Sequence, residues 1–126
     1  MELANYLFFT NQCEAALGFY QRCGLGSIAN MQRYGDENPA MNGLVQHARF
    51  EGRGFAFCAS DNDDAEPMRG SAHYLTFDDA DAARVMFERL AEGGIVTTPI
   101  GPQAWSKLYG KVTDRFGVQW MMHYTG

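Results

Sequence analysis

Residues 4–26 read ANYLFFTNQCEAALGFYQRCGLG, and residues 72–94 read AHYLTFDDADAARVMFERLAEGG. Superposed at an offset of 68 positions without a gap, they pair Ala4 with Ala72, Tyr6 with Tyr74, Leu7 with Leu75 and Phe9 with Phe77. Ala15 then meets Ala83, Phe19 meets Phe87 and Gly26 meets Gly94. Matched aromatic and glycine positions over this length mark two copies of one supersecondary unit. Each copy opens on a short aromatic and aliphatic run that suits a strand. A helix-start signal follows, Asn11 with Glu14 in the first copy and Asp79 in the second. Cys13, Ala16, Leu17, Tyr20 and Cys23 then fall at helical spacing, as do Ala83, Met86, Phe87, Leu90 and Ala91. Gly24 with Gly26, and Gly93 with Gly94, supply residues that accept a left-handed helix stop.

Outward from the repeat, residues 27–34 (SIANMQRY) read as a strand and residues 35–43 (GDENPAMNG) as a polar loop. Residues 44–50 and 54–60 form a hairpin pattern, and strand periodicity groups Val45, His47 and Arg49 on one face, opposite Leu44, Gln46, Ala48 and Phe50. Residues 61–70 (DNDDAEPMRG) are acidic and without apolar period, which marks a linker. The second copy repeats the order: a strand at 73–77, a helix from about residue 80 to 92, a strand at 95–100, and a hairpin of 107–113 and 118–124 turning at 114–117. The expected organisation is a single domain, 1–126, with module one at 1–60, a linker at 61–70 and module two at 71–126. Its class is α+β, two tandem βαβββ modules. One helix covers one face of a four-stranded sheet, so two such sheets are expected to curl toward each other into a curved mixed-sheet cup that holds something small.

The totals narrow the function. A length of 126 residues allows one compact core. A net charge of -5 with no Lys/Arg cluster argues against a nucleic-acid surface, which needs basic groups to displace phosphate counterions. No apolar run approaches the roughly 20 residues of a spanning helix, and no basic segment leads into an apolar one at the N-terminus. The expectation is a cytoplasmic protein with no membrane and no nucleic-acid partner. Cys13, Cys23 and Cys58 lack metal-pair spacing and read as reduced thiols, two of them on the first helix's apolar stripe.

Four stretches carry a family resemblance: YLFFTNQCEAALGFY, QHARFEGRGFAFCASD, LAEGGIVTTPIGPQAW and YGKVTDRFGVQW. With these in this order the chain resembles the vicinal oxygen chelate superfamily, which includes glyoxalase I, bleomycin-resistance proteins and extradiol dioxygenases. More narrowly it is similar to the PhnB-like branch, often labelled a 3-demethylubiquinone-9 3-methyltransferase domain. The resemblance implies a homodimer that binds a small molecule. Methyl transfer is not carried over, because no glycine-rich turn of the kind that holds S-adenosylmethionine follows a strand. In metal-using members four ligands come from the first and last strands of the two modules, and a divalent ion with open positions polarises a substrate oxygen. Aligning on the first helix places the first-strand ligands at Asn5 and His73; aligning on the buried strand pattern places them at Ala4 and Ala72. The last-strand positions fall near Cys58 and Met121. Neither set resembles the hard donors that zinc, iron or manganese take. No cofactor is therefore expected, and a divalent metal is the alternative, with His73 and Cys58 as its donors in a glyoxalase- or dioxygenase-type enzyme.

Without a metal, aromatic and a few polar groups would line the cup. The candidate ligand-binding residues are Phe8, His47, His73, Trp105, Tyr109 and Trp120, with His123 behind them. His47 reads either as a hydrogen-bonded core histidine or as the candidate catalytic base, since a neutral imidazole exchanges protons near neutral pH. Trp105 stands outside any periodic element. Tyr109 reads as a phenol offered to a ligand or as cover for a sheet edge. Trp120 shares an apolar stripe with Val118 and Met122 that suits packing on the second helix. Asp114 reads as the residue that closes the turn before Gly117.

Overall fold

Alternation shapes the first strand. In the computed structural model, which describes residues 1–126, β1 (Asn5–Phe9) buries Leu7 and Phe9 and exposes Tyr6 and Phe8. Helix α1 (Cys13–Arg22) buries Cys13, Ala16, Leu17, Phe19 and Tyr20, the stripe that a 3.6-residue period turns inward. Strands β2 (Gly26–Arg33), β3 (Val45–Gly52) and β4 (Phe55–Asp61) complete a sheet of order β1-β4-β3-β2, with β1 parallel to β4 and the other neighbours antiparallel. The second copy gives β5 (His73–Phe77), α2 (Ala80–Ala91), β6 (Ile95–Gln103), β7 (Ser106–Thr113) and β8 (Gln119–Tyr124), in the order β5-β8-β7-β6 with the same directions. The chain is thus α+β, with two βαβββ modules in tandem. Its two compact units are Met1–Glu66 and Pro67–Gly126.

Each sheet packs one face on its own helix. In unit 1 that core stacks Phe50 on Phe57, ring centroids 5.1 Å apart, with Tyr20 of α1 edge-on to both. In unit 2 it holds Trp120, Met122, Val112 and Leu90, with Ala83 and Phe87 of α2. Gly110 of β7 lets the helix approach, because a Cβ there would stand 2.5 Å from Phe87.

The repeated glycines divide two tasks. Gly24 (φ 85) and Gly93 (φ 75) take the left-handed stop. Gly26 and Gly94 stand where β2 and β6 begin, and a Cβ would lie 2.2 Å from the Glu51 carbonyl oxygen in one and 2.3 Å from that of Thr113 in the other. This close backbone approach explains why the two are matched in the repeat.

Helix starts differ from expectation in the first copy only. Asp79 caps α2, its Oδ2 accepting from the Ala82 amide at 2.8 Å. The expected Asn11–Glu14 box does not form: Gln12 is the N-cap residue with no side-chain bond, and Glu14 pairs with Arg33 at 2.7 Å. The acceptor comes instead from the far end of β4. Asp61, 1% exposed, takes the Cys13 amide on Oδ1 at 2.9 Å and the Val45 amide on Oδ2 at 3.0 Å.

Two strands depart from simple alternation. Gln32 pairs with His47 but Arg33 pairs with Val45, so Gln46 is an extra residue in β3. That bulge turns Val45 into the core beside Ala48 and Phe50, away from His47 and Arg49. Strand β6 runs to Gln103 through Pro99 and Pro102 with repeated register shifts, which an edge strand tolerates.

Candidate functional site

Each sheet leaves its second face uncovered by its own helix, and cross-strand register says which residues lie there, because paired residues point to the same side. In unit 1 Tyr6 pairs with Cys58, Phe8 with Ser60, and Arg49 with Cys58. His47 joins them from β3. Tyr6 and Phe8 lie 5.1 Å apart by ring centroid, and Phe8 is 47% exposed. Tyr6 Oη and His47 Nδ1 share a hydrogen bond of 3.2 Å, in which the phenol donates when the neutral ring carries its proton on Nε2. A phenol held by an imidazole can exchange a proton with a bound molecule, so His47 stands where a base would be useful.

In unit 2 Tyr74 pairs with Met121, Thr76 with His123, Tyr109 with His123, and Lys111 with Met121. The two-residue turn between β6 and β7 carries Trp105 over this face. The rings form a continuous run: Tyr74 stacks on His123 at 5.6 Å, His123 stacks on Trp105 at 5.6 Å, and Trp105 meets Tyr109 edge-on at 4.7 Å. Tyr74 is 52% and Trp105 56% exposed. His123 Nδ1 is buried and has no hydrogen-bond partner.

Of the residues singled out in the sequence, Phe8, His47 and Cys58 come together on the first face, and Trp105 and Tyr109 on the second. His73 and Trp120 do not join them. The two are in register with each other, ring centroids 4.6 Å apart, on the helix-packed side. Trp120 is 1% exposed and donates its indole N–H to Asp114 Oδ2 at 2.8 Å. Burial pushes the His73 pKa down, partly offset by the Asp114 charge. Asp114 closes its turn by accepting the Phe116 and Val118 amides on Oδ1. Tyr6, Tyr74 and Lys111 were missed as site residues. The signal was present, since Tyr6 and Tyr74 match in the repeat and alternate with the buried Leu7 and the half-buried Leu75.

The metal set implied by the resemblance is divided between faces. Asn5 is in register with Phe57 and His73 with Trp120, whereas Cys58 and Met121 pair with Tyr6 and Tyr74. No three His, Cys, Asp or Glu side chains come together in a way that would hold an ion. These residues do not fit a divalent metal. Cys13 is no nucleophile either: burial, reinforced by the Asp61 charge, pushes its pKa to about 12 and keeps the thiol protonated.

A family model described as 3-demethylubiquinone-9 3-methyltransferase matches residues 1–123. The chain belongs to that family. Among this family's relatives, Protein YjdN of Escherichia coli (strain K12) is 26% identical over 140 residues, covering 98% of this chain and 95% of that protein. Protein PA1353 from Pseudomonas aeruginosa has a crystal structure with TM-score 0.89 at 35% identity, covering 98% of this chain and 97% of that one. The putative 3-demethylubiquinone-9 3-methyltransferase, PhnB protein, from Bacillus cereus superposes with TM-score 0.87 at 26% identity, covering 98% and 99%. The same fold occurs at TM-score 0.72 and 10% identity in a glyoxylase/bleomycin resistance protein/dioxygenase domain from Frankia sp. EAN1pec, and at TM-score 0.70 and 12% identity in the fosfomycin resistance protein FosX from Listeria monocytogenes. The name of the 3-demethylubiquinone-9 3-methyltransferase family implies a methyl donor, and the residues do not fit one. The strand-to-helix turns, residues 10–12 (TNQ) and 78–79 (DD), contain no glycine, so neither offers the bare backbone against which a glycine-rich turn holds a nucleoside.

Proposed function

We propose that this PhnB-like chain is a cytoplasmic small-molecule-binding protein that acts as a homodimer, with the ligand lying against the open aromatic faces of its sheets and no metal ion of its own. The observation that supports this reading best is the run Tyr74–His123–Trp105–Tyr109. Four packed rings facing away from the helix, two of them more than half exposed, have no role in the core. Exposed contiguous apolar surface of this kind is what ligands and partner chains cover. Dimerisation accords with the resemblance and with Tyr6 and Phe8 exposed on the other unit. Three cysteines that form no disulfide accord with a reducing compartment.

The alternative is a metal-dependent enzyme of glyoxalase or dioxygenase type. One fold neighbour, a FosX mutant from Listeria monocytogenes, was crystallised with Mn(II) and a dihydroxypropylphosphonic acid, at 13% identity. The division of Asn5, His73, Cys58 and Met121 between faces speaks against that chemistry here. A thermal-shift screen of a metabolite library in metal-free buffer tests the proposal, since a molecule that binds only the folded chain raises Tm by mass action. Hits that survive EDTA support it. About one equivalent of a transition metal in the purified protein, needed for every hit, overturns it.

A further inference from the structure

The two open faces have matching positions, and their polar groups are in opposite states. In unit 1 they answer one another. His47 Nδ1 is bonded to Tyr6, Arg49 Nε lies 3.6 Å from Glu51, and Ser60 donates to Asn62 at 2.5 Å. In unit 2 the corresponding groups are left over. Lys111 holds the place of Arg49, because Arg49 faces Cys58 and Lys111 faces Met121 at equivalent points of the last strand. No carboxylate pairs with it. None of β5, β6, β7 and β8 contains Asp or Glu, in a chain whose net charge is -5. His123 holds the place of Ser60, and its buried Nδ1 has no partner. A buried polar atom without a bond costs free energy that a hydrogen-bonding ligand recovers. Lys111 and His123 are diagonal neighbours across the β7–β8 pair, roughly 7–8 Å apart at the backbone, within reach of one small anionic group.

Resting on the binding role above, we infer that unit 2 reads the polar end of the ligand, and that the ligand is a flat aromatic anion such as an arene carboxylate or phenolate. Its ring lies on the exposed surfaces of Trp105 and Tyr74, its charge faces Lys111, and its oxygen accepts a hydrogen bond from Nδ1–H of His123. Trp105, carried on a two-residue turn, rotates to uncover that nitrogen. An exposed indole that moves on binding gives the reaction its own optical signal, distinct from the buried Trp120.

The test titrates the metal-free protein with 1-naphthoate and with neutral 1-naphthamide, following Trp fluorescence and calorimetric Kd. The carboxylate is expected to bind about tenfold or more tightly than the amide, the scale of a charge-assisted hydrogen bond. Lys111→Met should sharply reduce that preference, the His123 bond remaining, and Lys111→Arg should keep it. His123→Phe, which preserves the stack, should weaken carboxylate binding by about tenfold and amide binding by less, because the amide oxygen accepts only an uncharged hydrogen bond. Arg84→Met, on the exposed side of α2, should leave the carboxylate-to-amide ratio intact. Equal affinity for the two probes, or a ratio unmoved by Lys111→Met, overturns the inference and leaves the binding role standing. Library hits without any affinity for either naphthalene do the same. A screen with no hits at all defeats both.

Discussion

Asp61 shows how much one side chain decides. Its carboxylate ties the start of α1 to the start of β3 from a position 48 residues beyond Cys13, with both oxygens engaged and no solvent to replace either bond. Asp61→Ala strands two buried amides, and a loss of about 2–4 kcal/mol is expected in urea unfolding. Asp79→Ala removes a solvent-exposed cap and should cost only about 1 kcal/mol. Equal losses would contradict this ordering. His73 makes the pH prediction. Its folded pKa lies below the ordinary 6.5, because the ring is buried against Trp120. Above that value both folded and unfolded chains hold it neutral. As pH falls below it, the unfolded chain takes the proton first and stability declines until the folded pKa is passed too. Between about pH 7.5 and 5.5 the wild type should therefore lose more Tm than His73→Gln. Parallel slopes would show that the ring is not held neutral by burial.

At the scale of elements, the modules could be read from sequence because their determinants are local. Helical stripes, alternating strands and matched glycines are decided by neighbours within a few residues, and the structure keeps them: Cys13 to Tyr20 inward, Leu7 and Phe9 inward, Val118, Trp120 and Met122 on one stripe. What could not be read depends on distant partners. The cap on α1 comes from β4, the inward turn of Val45 comes from one extra residue at Gln46, and the side on which His73 falls comes from its parallel register with Trp120. A shift of one residue in a five-residue strand exchanges its faces, so no local pattern fixes that choice. Trp105 was legible for the opposite reason, since no period claims it. The helix–sheet contact at Gly110 yields a further prediction. Gly110→Ala forces a methyl to within 2.5 Å of Phe87 and should cost about 1–3 kcal/mol, whereas Gly101→Ala, with nothing within 4 Å, should change stability by less than about 0.5 kcal/mol.

For the whole molecule, the duplicated half has been put to unequal use. Both copies keep the strand, helix and three strands, yet one open face satisfies its own polar groups and the other does not. The proposed dimer should elute at the mass of two chains in light scattering, and a monomer across the accessible concentration range would contradict it. The most direct measurement is calorimetric titration of the EDTA-treated protein with its strongest library hit, comparing wild type, Trp105→Ala and His73→Gln. Binding on the open aromatic face predicts that EDTA changes nothing, that Trp105→Ala loses about tenfold or more in affinity, and that His73→Gln stays within about twofold. Affinity that vanishes with EDTA or with His73→Gln, and survives Trp105→Ala, would contradict it.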